Sequence, residues 1–180
     1  MAKNDNAHAV RLVSSLVQTV GPEKAREFEE TYPLSKSASI EKKFKWAQNV
    51  CDYLEQNFDP ETVAIIRKAC RCSDGKSNAA KLRKYLEQTD TIEDFVNAFN
   101  RHETFASLEY ISDHKILFCY PECYCSCVKR VPQTLSETWC ACTVGNAEET
   151  FRAVFHDGVR VTLRESIKTG ADRCTLEVEW

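Results

Sequence analysis

The stretch VRVTLRESIKTGADRCTLEV, residues 159–178, decides the fold class. Val159, Val161 and Leu163 alternate with Arg160, Thr162 and Arg164, the period-two pattern of a half-buried strand. Lys168 to Asp172, with Gly170 inside it, reads as a turn. Cys174, Leu176 and Val178 then alternate against Arg173, Thr175, Glu177 and Glu179, giving a second half-buried strand. Two such runs across a short turn predict an antiparallel hairpin.

Working outward, the pattern before the hairpin is mixed. Gly145 to Phe155 fits a helix with Phe151, Val154 and Phe155 apolar, and Gly145 itself reads as a turn residue. Thr138–Thr143 is a short strand candidate. Leu108–Ile111 and Lys115–Cys119 read as strands around an Asp113-His114 turn. Residues 1–103 read as helices. Val10, Val13, Val17 and Val20 recur at helical spacing, with Leu12 and Leu16 broadening the stripe until Gly21-Pro22 stops it. Pro22 opens a short helix through Glu30. Ile40, Phe44, Ala47, Cys51, Leu54 and Phe58 alternate steps of four and three, marking one apolar face of a long helix. Asp59-Pro60 reads as an N-cap and first helical residue ahead of Val63, Ile65 and Ile66, in a helix running to about Cys70. Cys72 to Gly75 is a turn. Leu82, Tyr85 and Leu86 mark the next helix, and Thr91 with Asp94 caps another that carries Phe95, Val96 and Phe99. The expected fold is α+β: a helical region, 1–103, packed with a cysteine-rich antiparallel region, 104–180, as one compact unit.

Composition narrows the function. The chain has 180 residues and a formal charge of −3, with a pI near 5.9. Such a balance argues against a phosphate-tracking nucleic-acid surface. Mean hydropathy is −0.44, and no apolar run approaches the ~18 residues of a membrane span. The N-terminal MAKNDNAHAV shows no basic segment leading into an apolar one, so no secretory leader is expected and a cytoplasmic location is.

Ten cysteines stand out. In a chain read as cytosolic they point to metal or thiol chemistry before structural disulfides. Seven sit at Cys-x-Cys spacing: Cys70 and Cys72; Cys123, Cys125 and Cys127; Cys140 and Cys142. Residues two apart on a strand share a face. If Cys125–Cys127 and Cys140–Cys142 lie on paired strands, four sulfurs gather on one side, with cross-strand Cβ atoms about 4.5–5.5 Å apart. Cys70 and Cys72 offer further ligands, and Cys123 either adds one or replaces one. Thiolates select soft or borderline metals, so Zn2+ leads, with an iron–sulfur cluster or a dithiol redox pair as alternatives. Arg71, Lys129 and Arg130 would offset the negative charge of a thiolate site. Cys51, on an apolar helix face, reads as a plain buried thiol, and Cys174 as a packed one. His8, His102, His114 and His156 fall in no zincin-type motif and read as surface or capping residues. Glu122 and Glu137 read as solvated carboxylates.

The C-terminal third carries a resemblance. WCACTVGNAEETF followed by VRVTLRESIKTGADRCTLEV resembles the C-terminal half of the vinyl-four-reductase superfamily. Cys142, Gly145, Glu165, Gly170 and Cys174 stand at its characteristic positions. The ending is similar also to the aminothiazoline carboxylic acid hydrolase family. With CYPECYCSCVKR and LSETWCACTVG included, the chain resembles a cysteine-rich bacterial family. The resemblance implies helices on an antiparallel sheet and a small-ligand binding or sensing module, often with zinc near its cysteines. Where that superfamily often has a cysteine four residues before the Gly, this chain has Ser166, which implies a metal site shifted to the CYCSC and CAC elements. The hydrolase's catalytic residues do not map here. The expectation is a cytosolic zinc-binding module with a small-molecule ligand. A redox protein and a small hydrolase remain open, and neither enzyme status nor oligomeric state is fixed.

Overall fold

The computed structural model describes residues 4–180; residues 1–3 of the stretch read for a leader lie outside it. The chain is α+β, with seven helices and a four-stranded antiparallel sheet among the described residues. It divides into two compact units. One takes residues up to Cys72 together with Tyr124–Gly145; the other takes Ser73–Cys123 and Asn146–Trp180. Helices give way to strands near residue 104, but each unit draws on both sides of that point.

The first unit is built on α1 (Ala7–Val20), α2 (Pro22–Thr31), α3 (Ile40–Asn57) and α4 (Pro60–Ala69). Capping sets their starts. The side chains of Asn6, Ser39 and Asp59 each accept from backbone N–H groups of the first turn, satisfying donors that a helix leaves unpaired. Gly21, at φ 95°, makes the break between α1 and α2 in a region that side chains disfavour. The long face read on α3 is correct in Phe44, Ala47, Cys51 and Leu54, which are buried. On α1 the valine stripe is not the core. Ala9, Leu12, Ser15 and Leu16 are buried, while Val10 and Val17 are exposed. Two apolar stripes compete on that helix, and the leucines bury more surface per residue.

The second unit holds α5 (Lys76–Leu86), α6 (Ile92–His102), β1 (Ser107–Ser112), β2 (Lys115–Tyr120), β3 (Arg160–Glu165) and β4 (Cys174–Glu179). The sheet order is β1-β2-β4-β3, antiparallel throughout. Both expected hairpins are present. A 3-10 turn over Ile167–Thr169, closed by Gly170 at φ 104°, connects β3 to β4. Leu108, Ile116, Phe118, Val161, Leu176 and Val178 fill the buried face.

The main departure from expectation is α7 (Glu137–Phe155), 19 residues long. The strand expected at Thr138–Thr143 is its first part, and Gly145 lies inside it rather than in a turn. The apolar run Trp139–Val144 is too short for its period to separate strand from helix. Cys125 lies in a segment without regular structure, and Cys127 in a turn. No pair of strands therefore carries the four sulfurs, and a shared sheet face for them is ruled out.

Candidate thiol site

In the first unit, four separated segments, α3, the end of α4, the irregular stretch before α7 and α7 itself, bring cysteines near one arginine. Arg67, in the last turn of α4, is 3% exposed. Its Nε donates to the Thr138 carbonyl at 3.3 Å and an amino nitrogen to the Trp139 carbonyl at 2.7 Å. Its guanidinium lies 4.6 Å from the centre of the Trp139 ring. Burial opposes its charge, yet Cys142, Cys70, Cys51 and Cys125, in that order, raise its pKa as anions would. No carboxylate ion-pairs with it among the described residues.

Gly145 explains how α7 comes so close. A Cβ there would sit 2.1 Å from the Lys68 carbonyl oxygen, so only glycine lets the two backbones meet. Trp139 and Cys142, three residues apart, share one helix face. Cys140 stands about 200° round the helix from Cys142, so the two do not act from one face.

The thiols rest mostly on backbone carbonyls. Cys70 donates to Ile66 at 3.2 Å, Cys127 to Lys43 at 3.6 Å, and Cys142 to Trp139 at 3.6 Å. Burial pushes Cys70 and Cys72 up, and pushes Cys51 and Cys127 up to about 12. Cys72 alone among the ten is exposed. An Arg11 amino nitrogen donates to its sulfur at 3.4 Å.

The sequence around His8 does not single it out. It lies in the first turn of α1, with Nδ1 3.9 Å from the Cys72 sulfur and Nε2 3.2 Å from the Ser126 hydroxyl. Burial, then Arg11, Arg67 and Lys43, lower its pKa to about 4, so the ring is neutral at neutral pH. Two donors in this neighbourhood, Arg11 Nε and Trp139 Nε1, are buried without a hydrogen-bond partner.

Of the seven paired cysteines, Cys70, Cys72, Cys125, Cys127, Cys140 and Cys142 belong to this unit. Cys123 belongs to the other, near Cys174. Cys119, also there, is buried between Glu109 and Thr175. Glu122 and Glu137 are exposed, as expected. Among the described residues, no three His, Cys, Asp or Glu side chains are gathered closely enough to hold a metal ion.

Residues 10–179 match the family described as "Family of unknown function (DUF6144)", and the chain belongs to that family. No curated protein matches it. Solved structures similar to it include an H-NOX protein from S. oneidensis in the Fe(II) ligation state, at 16% identity and a TM-score of 0.45, covering 97% of this chain and 95% of that one. Another is the SO2144 H-NOX domain from Shewanella oneidensis in the Fe(II)CO ligation state, at 17% identity and a TM-score of 0.44, covering 97% of each. Likeness at this level says nothing of what this chain binds.

Proposed function

We propose that this member of the family is a metal-thiolate protein, zinc first, whose centre lies in the first unit beside Arg67. The observation that carries this is a buried arginine whose electrostatic partners are thiols rather than carboxylates. A buried cation without an anion costs several kcal/mol. Thiolates held by a metal would supply that anion. The partnerless donors Arg11 Nε and Trp139 Nε1 fit the same chemistry, because thiolate sulfurs accept hydrogen bonds that neutral thiols accept poorly. Zn2+ would repay the desolvation that pushes Cys70 and Cys72 up, since a coordinating thiol ionises outright. Cys72 and Cys125 sit outside helices and strands, and loading the centre would require donors to come together, because the described residues gather no three of them. The resemblance to vinyl-four-reductase domains supports a small-molecule binding or sensing role built on such a centre.

The test is metal analysis of protein purified without oxygen, beside its visible spectrum. About one zinc per chain in a colourless sample is the expected result. Iron with a visible absorption band would replace zinc by a cluster. Protein that takes up neither metal in titration would overturn the proposal.

A further inference from the structure

We infer that the groove between α3 and the segment joining α2 to α3 binds a small organic anion with an apolar body, its charged head on Lys42 and Lys45. This goes beyond the metal-thiolate reading and stands whether or not the thiols take up a metal. Three observations carry it.

The first is the cavity itself. It holds about 650 Å³ and is lined wholly by residues 31–49 of the first unit, a volume within the range of small-molecule sites. The second is the charge of its lining. Lys42 and Lys45 are its only charged residues, and no Asp or Glu lines it among the described residues. Neither ammonium forms an ion pair among those residues. Glu41, beside them in sequence, stays outside the lining and is hydrogen-bonded to Ser39. The field inside the groove therefore favours a negative head group over a positive one.

The third is the way polar and apolar parts are divided. Lys42, Lys45, Trp46 and Asn49 recur at i, i+3, i+4 and i+7, so one stripe of α3 supplies two cations at one end and an amide at the other. Seven residues of helix rise about 10 Å, room for one aromatic ring and its acid group. Both lysines are exposed, which leaves the head group at the mouth. Half-buried Tyr32 and Pro33, with buried Leu34 and Trp46, give an apolar floor. Trp46 Nε1 donates to the Tyr32 carbonyl at 2.8 Å, a bond that ties the two walls and leaves the groove formed before any ligand arrives.

The test titrates phenylacetate, phenyl phosphate and phenethylamine into the chelator-treated whole chain, followed by the NMR shifts of backbone amides and tryptophan indoles. At least one of the two anions should give saturable shifts centred on residues 31–49 and the Trp46 indole, and phenethylamine should give none. The tighter of the two anions assigns the head as carboxylate or phosphate ester. Lys42→Gln combined with Lys45→Gln should weaken that binding about tenfold, the loss of two exposed ion pairs, with the far-ultraviolet circular dichroism unchanged. Lys42→Arg combined with Lys45→Arg should retain it. No saturable shift with either anion, equal affinity for phenethylamine, or unchanged affinity in the double glutamine variant would overturn the assignment. Each of these results leaves the metal-thiolate reading intact, and failure of zinc uptake leaves anion binding unaffected.

Discussion

Gly145 shows how one missing side chain shapes the candidate site. In most helix interiors Gly→Ala gains about 1 kcal/mol from backbone entropy. Here the added methyl would meet the Lys68 carbonyl at 2.1 Å, and backbone cannot yield cheaply. Gly145→Ala should therefore destabilise the protein by about 3 kcal/mol and disturb the setting of Cys142. Urea denaturation beside zinc titration would check both effects; a variant as stable as the parent would mean that α7 has room to shift. Cys51 is the contrasting residue. It is 2% exposed on the α3 core face, and burial pushes its thiol up to about 12, so it is packing material. Cys51→Ala should cost about 1 kcal/mol through lost contacts and leave metal content unchanged. Metal loss in that variant would make Cys51 a ligand.

At the scale of elements, α7 separates two cysteines that the sequence presents as a pair. On a strand Cys140 and Cys142 would share a face; on a helix they do not. Cys142→Ser should abolish tight zinc binding, whereas Cys140→Ser should retain it, as metal analysis after dialysis against a weak chelator would show. Equal loss in both would contradict the helical placement. This element also marks how far the sequence could be read. Caps such as Asp59 and Thr91, the breaking Gly21-Pro22 and the alternation in β3 and β4 are local signals, and they place most elements to within a residue or two. The start of α7 is not local. Its first turns are held by the Arg67 bonds to the Thr138 and Trp139 carbonyls and by the close approach at Gly145, contacts with a segment some 70 residues earlier. The thiol site was half legible for the same reason. Cys-x-Cys spacing identifies the chemistry, but Arg67 and His8 lie in ordinary helical surroundings. Only tertiary packing brings them to the sulfurs. Among the described residues no carboxylate ion-pairs with Arg67, a departure that no spacing rule encodes.

For the whole molecule, the neutral state of His8 links the site to global stability. In the unfolded chain its imidazole titrates near 6.5; in the folded, metal-free chain it is lowered to about 4 by burial and by Arg11, Arg67 and Lys43. Below pH 6.5 the unfolded state therefore takes up a proton that the folded state refuses. Stability from this group is complete above pH 6.5, falls as the pH drops toward 4, and levels off below that, for a total of at most ~3 kcal/mol. Carboxylates held low by hydrogen bonds, such as Asp59 to Thr62 and Glu177 to Arg164, add losses at more acid pH, so the comparison must isolate His8. Chelator-treated parent and His8→Gln chains, unfolded in urea from pH 7.5 to 4, should diverge in their pH slopes between 6.5 and 4, the parent losing stability faster. Parallel slopes would mean that the ring is solvated in the metal-free protein.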